Sequence, residues 1–271
     1  MKRRTLALVA VLLAAPCALL FAHDTWLLPA SLRTTVGKPV RLSLTSGEGF
    51  PADDFAIAAS RVMRADVRLA GKSAALAAPR RTAQSLRYVW TPRSAGIATF
   101  AVVLAPKVLS LAPDKIAEYL DEIDASAALR ATWSAIPAPK RWRESYSKYA
   151  KSFVLVGNPT TDSSWATPAG LGLELVPERD PTVLTAGDTL PVLVLRHGAR
   201  VAGFAVGAAH SGDTKARFFH TDSEGRARVV LPAAGLWLLN GTDLRRTAKA
   251  GLEWESDFTT LTIAVRATSR P

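Results

Sequence analysis

Cysteine is nearly missing from this 271-residue chain: the one residue, Cys17, lies inside an N-terminal apolar run. Everything beyond that run therefore lacks disulfides, thiolate metal ligands and thiol nucleophiles, so any bound metal must take nitrogen and oxygen donors. Pro16 directly before Cys17 argues against a lipoprotein signal, which needs a small residue there. Long hydrophobic runs are missing too. After Phe21 every apolar stretch is interrupted by Arg, Asp or Pro within about eight residues, far short of the roughly 20 needed for a spanning helix. The sequence contains no G-x-S-x-G elbow and no H-E-x-x-H motif. Gly47-Glu48-Gly49-Phe50-Pro51 follows a strand rather than opening a helix and reads as a loop, not a phosphate cradle. Asp53-Asp54 and Asp121-Glu122 read as solvated carboxylates. These absences leave no hydrolase or nucleotide site, and the reading is that the chain is not an enzyme.

The net charge is +11, or +8 without Lys2, Arg3 and Arg4. Basic residues are dispersed as singles and pairs such as Arg80-Arg81 and Arg245-Arg246, without the aromatic interleaving of a single-strand-binding surface, so nucleic acid is not an expected partner.

What is present begins with a basic head, Lys2-Arg3-Arg4, an apolar body from Leu6 to Phe21, and Ala22 before His23-Asp24-Thr25-Trp26. Residues 1–22 read as a Sec-type signal peptide, with Leu20 larger than usual three positions before the cut. The alternative is a membrane anchor, for which a run of about 16 apolar residues is short. Cleavage makes His23 the first of 249 mature residues, periplasmic or secreted and not integral to a membrane.

Short alternating strands follow. Val40, Leu42 and Leu44 alternate with Arg41, Ser43 and Thr45; Leu86, Tyr88 and Trp90 repeat the pattern; Thr99–Leu104 is more continuously apolar. Residues 23–107 are expected to form an N-terminal β-sandwich domain. A helical connector is expected over 108–150. Ile116, Tyr119, Leu120 and Ile123 make one amphipathic stripe, with Pro113 in a first turn, and Trp142, Tyr146 and Tyr149 make a second at i, i+4 and i+7. Both stripes are read as packing on the sandwiches rather than as a partner groove. Strands resume at Ser152–Gly157 and continue to Leu261, Ile263 and Val265, giving a second β domain over 151–271 with turns at His197-Gly198 and Thr221–Gly225.

The histidines number four, His23, His197, His210 and His220. A terminal His23 offers its α-amine and imidazole to one ion, and Asp24 adds a carboxylate beside them. The amine titrates near pH 8, so metal binding at neutral pH releases a proton at small cost. The other reading of His23 is a frayed end. His210 and His220 flank the polar loop Ser211–Lys215 and would face each other if their strands pair as a hairpin; an ordinary polar hairpin is the alternative. His197 reads as an exposed turn residue.

His23-Asp24-Thr25-Trp26-Leu27-Leu28-Pro29, then Gly37-Lys38-Pro39-Val40 and Gly47-Glu48-Gly49-Phe50-Pro51, resemble the start of a domain-of-unknown-function family of exported bacterial proteins described as the periplasmic component of cobalt/nickel ABC-type transport. The resemblance continues through Tyr149-Ala150-Lys151, Gly172–Pro177 with Asp180-Pro181, Thr221–Ala227, Gly235–Leu239 and Trp254-Glu255-Ser256, nearly the whole mature chain. It implies a mainly β fold, two β-sandwich-like domains (Ig-like or transthyretin-like, the second of transthyretin type) joined by a short helical segment. It also implies nickel or cobalt handling beside a membrane metal transporter. The family often places a histidine soon after the G-x-W-L-L strand, where this chain has Asn240-Gly241-Thr242-Asp243.

The expected function is a soluble periplasmic binding protein for a divalent transition metal, with His23, Asp24, His210 and His220 as ligands. Nickel and cobalt follow from the resemblance, while nitrogen-rich ligation by itself favours copper. A non-catalytic adhesion or scaffolding module is the second reading, and a copper-dependent oxidative enzyme built on the N-terminal histidine the third.

Overall fold

A computed structural model describes residues 23–158 and 161–268; the expected signal peptide, 1–22, lies outside the described residues. The N-terminal half contains β1 (Asp24–Pro29), β2 (Arg33–Thr34), β3 (Val40–Gly47), β4 (Val62–Leu69), β5 (Lys72–Ala75), β6 (Arg80–Arg81), β7 (Leu86–Trp90) and β8 (Gly96–Ser110). Two short helices, α1 (Ile116–Glu122) and α2 (Ala127–Ser134), precede β9 (Arg143–Val156). The remaining strands are β10 (Leu173–Pro177), β11 (Asp188–Arg196), β12 (Ala199–Arg200), β13 (Ala205–His210), β14 (Arg217–His220), β15 (Arg226–Leu231), β16 (Gly235–Arg246) and β17 (Trp254–Val265). The chain is mainly β, as its alternating pattern requires.

Its strands form a nine-stranded sheet ordered β14-β13-β16-β17-β9-β8-β4-β5, with β2 also on β9, and two four-stranded sheets. One small sheet runs β1-β3-β7-β6, and the other groups β10, β12 and β15 around β11. The large sheet crosses from one half of the sequence to the other because β9 pairs antiparallel with β8 on one side and parallel with β17 on the other.

Strands β8 and β9 explain how one sheet serves two cores. Successive side chains on a strand point to opposite faces. Phe100, Val102, Val154 and Val156 join the core formed with Leu27, Leu42, Leu44, Leu86 and Tyr88. Ile97, Ala101, Phe153 and Leu155 join the core of Leu173, Leu175, Val192, Val194, Val229 and Leu261. The two small sheets thus pack on opposite faces of the large one. Strands buried on both faces lose polar alternation, which is why 99–104 and 152–157 are continuously apolar.

The first expected helix is found: Ile116, Tyr119, Leu120 and Ile123 are buried together against Trp142, Trp254 and Phe258, and Pro113 lies in the 3-10 turn that leads in. The second is corrected. Trp142, Tyr146 and Tyr149 are not on a helix, since Arg143–Val156 is strand β9. An i, i+4 pair is also in phase with a strand's period of two. Trp142 and Tyr146 therefore share the face packed on α1, while Tyr149 turns to the opposite core. The second helix is instead α2, capped by Ser126, whose hydroxyl accepts from the Leu129 N–H at 3.2 Å. Helix thus occupies only part of the expected 108–150 connector.

Candidate functional site

Strand β1 lies along β3, with Asp24 opposite Gly47 and Thr25 opposite Ser46, and its start is covered by the loop that follows β3. Ser46 and Phe55 exchange backbone hydrogen bonds at 3.1 and 2.8 Å, which closes that loop back over His23. The Phe55 ring stacks on the imidazole with centroids 5.5 Å apart. The His23 side chain is only 10 % exposed, and its Nδ1 lies 3.2 Å from Oε1 of Glu48. Nδ1 is buried without a hydrogen-bond partner.

Beneath His23 the charge is arranged in depth. Lys148, buried on β9, donates to the His23 carbonyl oxygen. Burial pushes the Lys148 ammonium down to about 8, with Asp24 opposing that shift and Arg61 and Lys107 adding to it. Asn240 on β16 donates to Oδ2 of Asp24 at 2.6 Å. Burial holds the Asp24 carboxyl above its ordinary range despite the bond from Asn240 and the charges of Lys148 and His23. The remaining Asn240 oxygen, Oδ1, is buried and unpartnered. Glu122, the last residue of α1, is pushed up to about 7 by burial and then by the negative charges of Glu118, Glu48 and Asp24. The negative charges of Asp24, Glu48 and Glu122 thus act on one another, and Glu48 is the one whose carboxylate lies beside the imidazole. Such mutual repulsion favours a cationic guest.

Of the residues expected from sequence, the structure brings together His23 and Asp24. His210 and His220 are placed elsewhere. His210 ends β13 opposite Trp237, whereas His220 lies opposite Ala205 at the other end of the hairpin. Five residues at about 3.3 Å each separate those positions along the strand, so the imidazoles do not face each other. The His210 ring lies 5.0 Å from that of Trp237, with Nε2 2.9 Å from the Ala234 carbonyl oxygen. His220 pairs through Nε2 with Asp124 at 2.9 Å. His197 and Gly198 have φ of 48° and 82° and form the β11–β12 turn, as expected. Among the described residues, no group of three or more His, Asp or Glu side chains is disposed to hold a metal ion.

Sequence reasoning missed Glu48 and Lys148 as partners of His23 and Asn240 as the partner of Asp24. The one available signal was at Asn240, which occupies the stretch where the resembled family often has a histidine.

The class defined by these features is a mainly β protein with a buried, acidic histidine site at the start of its first strand. The chain belongs to the family described as "Domain of unknown function (DUF4198)", whose profile matches residues 20–242. No curated protein matches the sequence. Among solved structures it is similar to the Yersinia pseudotuberculosis adhesin InvE (10 % identity, 89 % of this chain and 58 % of that chain, TM-score 0.24). It is also similar to the Escherichia coli adhesin FdeC (12 % identity, 90 % of this chain and 64 % of that chain, TM-score 0.22). A third is SGBP-B of the Bacteroides ovatus mixed-linkage glucan utilization locus, solved with a mixed-linkage heptasaccharide (11 % identity, 85 % and 44 %, TM-score 0.19). The chain spans less than two thirds of the length of each.

Proposed function

We propose that this chain is an exported binding protein for a divalent transition metal, nickel or cobalt, that hands its ion to a membrane transporter. The observation that carries the reading is the buried Nδ1 of His23, 3.2 Å from the Glu48 carboxylate and without a hydrogen bond of its own. Nδ1 is the imidazole nitrogen that closes a chelate ring with the α-amine of the same residue through Cα, Cβ and Cγ. Cleavage after Ala22 would create that amine. His23 would then supply two nitrogens and Glu48 an oxygen, a borderline donor set suited to nickel, cobalt or copper. Side chains of the described residues would supply two of these donors, and the α-amine, present only after cleavage, the third.

The ion would relieve the mutual repulsion of Asp24, Glu48 and Glu122, and Lys148 would hold the His23 carbonyl in place. His210 and His220 have no part in this site. Resemblance to the cobalt/nickel transport family is the support for the choice of metal and for the transporter.

The test is calorimetric titration of nickel, cobalt and copper into the mature protein, its first residue verified by intact mass. His23→Ala and a form with one extra N-terminal residue should each lose at least tenfold in affinity. A saturating metal at 100 times Kd should stabilise the wild type by about 2.7 kcal/mol. Equal binding by all three forms would remove the site.

A further inference from the structure

Basic residues that are dispersed in the sequence are gathered by strand pairing on one outer face of the fold. Residues directly opposite each other in neighbouring antiparallel strands share a face, as do residues two apart on one strand. In the small sheet β1-β3-β7-β6, Leu42, Leu44, Leu86 and Tyr88 face the core. The alternate positions therefore point outward. Among them Arg41 stands opposite Val89, and Arg87 stands between Ser43 and Arg80. All three arginines are exposed, and Val89 is 55 % exposed. At the Arg41 end of the sheet the Gly37 N–H donates to the Pro92 carbonyl oxygen at 2.9 Å, which draws the exposed Lys38 and Arg93 to the same edge.

Little of this charge is neutralised. Asp53 accepts from Arg87 at 2.6 Å, from Ser85 at 2.9 Å and from Ser43, so one cation and one anion cancel. Lys38, Arg41, Arg80 and Arg93 make no side-chain hydrogen bond or ion pair with any described residue. The β1 side of the face is closed, since Trp26 is buried with Phe50 and Leu238. The part carried by β3, β7 and β6 is open.

Four unpaired cations on one side of a sheet repel one another and attract a negative surface. Val89 narrows the choice of that surface. A soluble polyanion offers no apolar phase to a valine standing among arginines. In a bilayer the anionic headgroups lie directly over the acyl chains, so basic side chains and a short apolar one are satisfied together.

We propose that the outer face of β3, β7 and β6 docks this protein on an anionic phospholipid surface, with Lys38, Arg41, Arg80 and Arg93 on the headgroups and Val89 beneath them. No metal ion at His23 is required for this.

The experiment is co-sedimentation of the mature protein with vesicles of equal parts phosphatidylcholine and phosphatidylglycerol, beside vesicles of phosphatidylcholine alone. The mixed vesicles should bind it and the neutral ones should not. A basic residue near an anionic surface contributes about fivefold in affinity, so Arg41→Gln with Arg80→Gln should weaken binding at least about tenfold. Lys215→Gln with Arg228→Gln removes the same charge from exposed positions elsewhere and should leave binding unchanged. Raising the salt from about 0.1 M to about 1 M shortens the screening length from about 10 Å to about 3 Å and should release the protein. Val89→Ser should weaken binding to the mixed vesicles but not to heparin, which has no apolar layer. Circular-dichroism melts confirm that each variant is folded. No binding to the mixed vesicles, equal binding to the neutral ones, or equal loss in the two charge variants would overturn the proposal. Heparin binding without vesicle binding, or a Val89→Ser variant that behaves alike toward both, would give the face to a soluble polyanion instead.

Discussion

Asn240 donates its side-chain amide to Oδ2 of Asp24 at 2.6 Å, joining residues 216 positions apart. The bond ties the start of β1 to the middle of β16 and fixes the strand from which His23 projects. Asn240→Leu leaves the Asp24 carboxylate without its donor. The cost should be about 1–3 kcal/mol, the penalty for unpairing a buried acceptor. Urea denaturation measures it, and a midpoint unchanged from wild type would show that the bond is not structural.

A second cross-link is buried more deeply. Lys151 Nζ lies 2.7 Å from Glu174 Oε1, with the side chains 2 % and 0 % exposed. Glu174 also accepts from the backbone N–H groups of Ala169, Gly170 and Leu171. Lys151→Met should destabilise the fold by about 3–5 kcal/mol, because it strands a buried carboxylate.

The same pair sets an acid response. Burial raises the Glu174 carboxyl, but the Lys151 charge and the backbone donors outweigh it and hold the value below the ordinary glutamate range. A depressed folded pKa gives stability that is present above the unfolded value, about 4.3, and is lost as pH falls through the folded value. Unfolding midpoints between pH 5 and 2 should therefore fall more steeply for wild type than for Glu174→Gln.

Glu122 predicts the opposite sign. Its folded pKa is raised to about 7, so its contribution is present below about pH 4.3 and is lost as pH rises toward 7. Glu122→Gln should remove that slope and be the more stable form at pH 8. The gain should be about 1 kcal/mol, after discounting for solvent screening at this exposed position. Thermal melts at pH 5 and pH 8 make the comparison, and a gain at pH 5 equal to that at pH 8 would rule out the titration.

His220 and Asp124 are 57 % and 37 % exposed. Their pair should be worth less than about 1 kcal/mol, as for other surface ion pairs. His220→Ala should leave nickel binding unchanged, in contrast to His23→Ala. Equal loss of any nickel binding in both variants would place His220 in the proposed site.

The parts of the fold legible in the sequence are those fixed by local period. Leu42 and Leu44, Leu86 and Tyr88, and the final Leu261, Ile263 and Val265 are buried in strands as their alternation implies. The α1 stripe is buried as its 3.6-residue spacing implies. Trp142 and Tyr146 misled because an i, i+4 spacing fits both periods, and Tyr149 at i+7 completed a helical stripe although on a strand it faces the opposite core. The outcome was decided by β8 and β17, which offered the segment a ladder on each side.

The candidate site divides in the same way. Sequence by itself determined a mainly β chain and the scarcity of cysteine and histidine, which made His23 a short-listed residue. Tertiary structure decided its company, setting Glu48, Lys148, Asp24 and Asn240 around it and sending His210 and His220 to separate partners. The reason is physical. Strand periodicity is a local property written in neighbouring residues, whereas pairing register and sheet stacking are long-range packing solutions that bring residues 24 and 240 together.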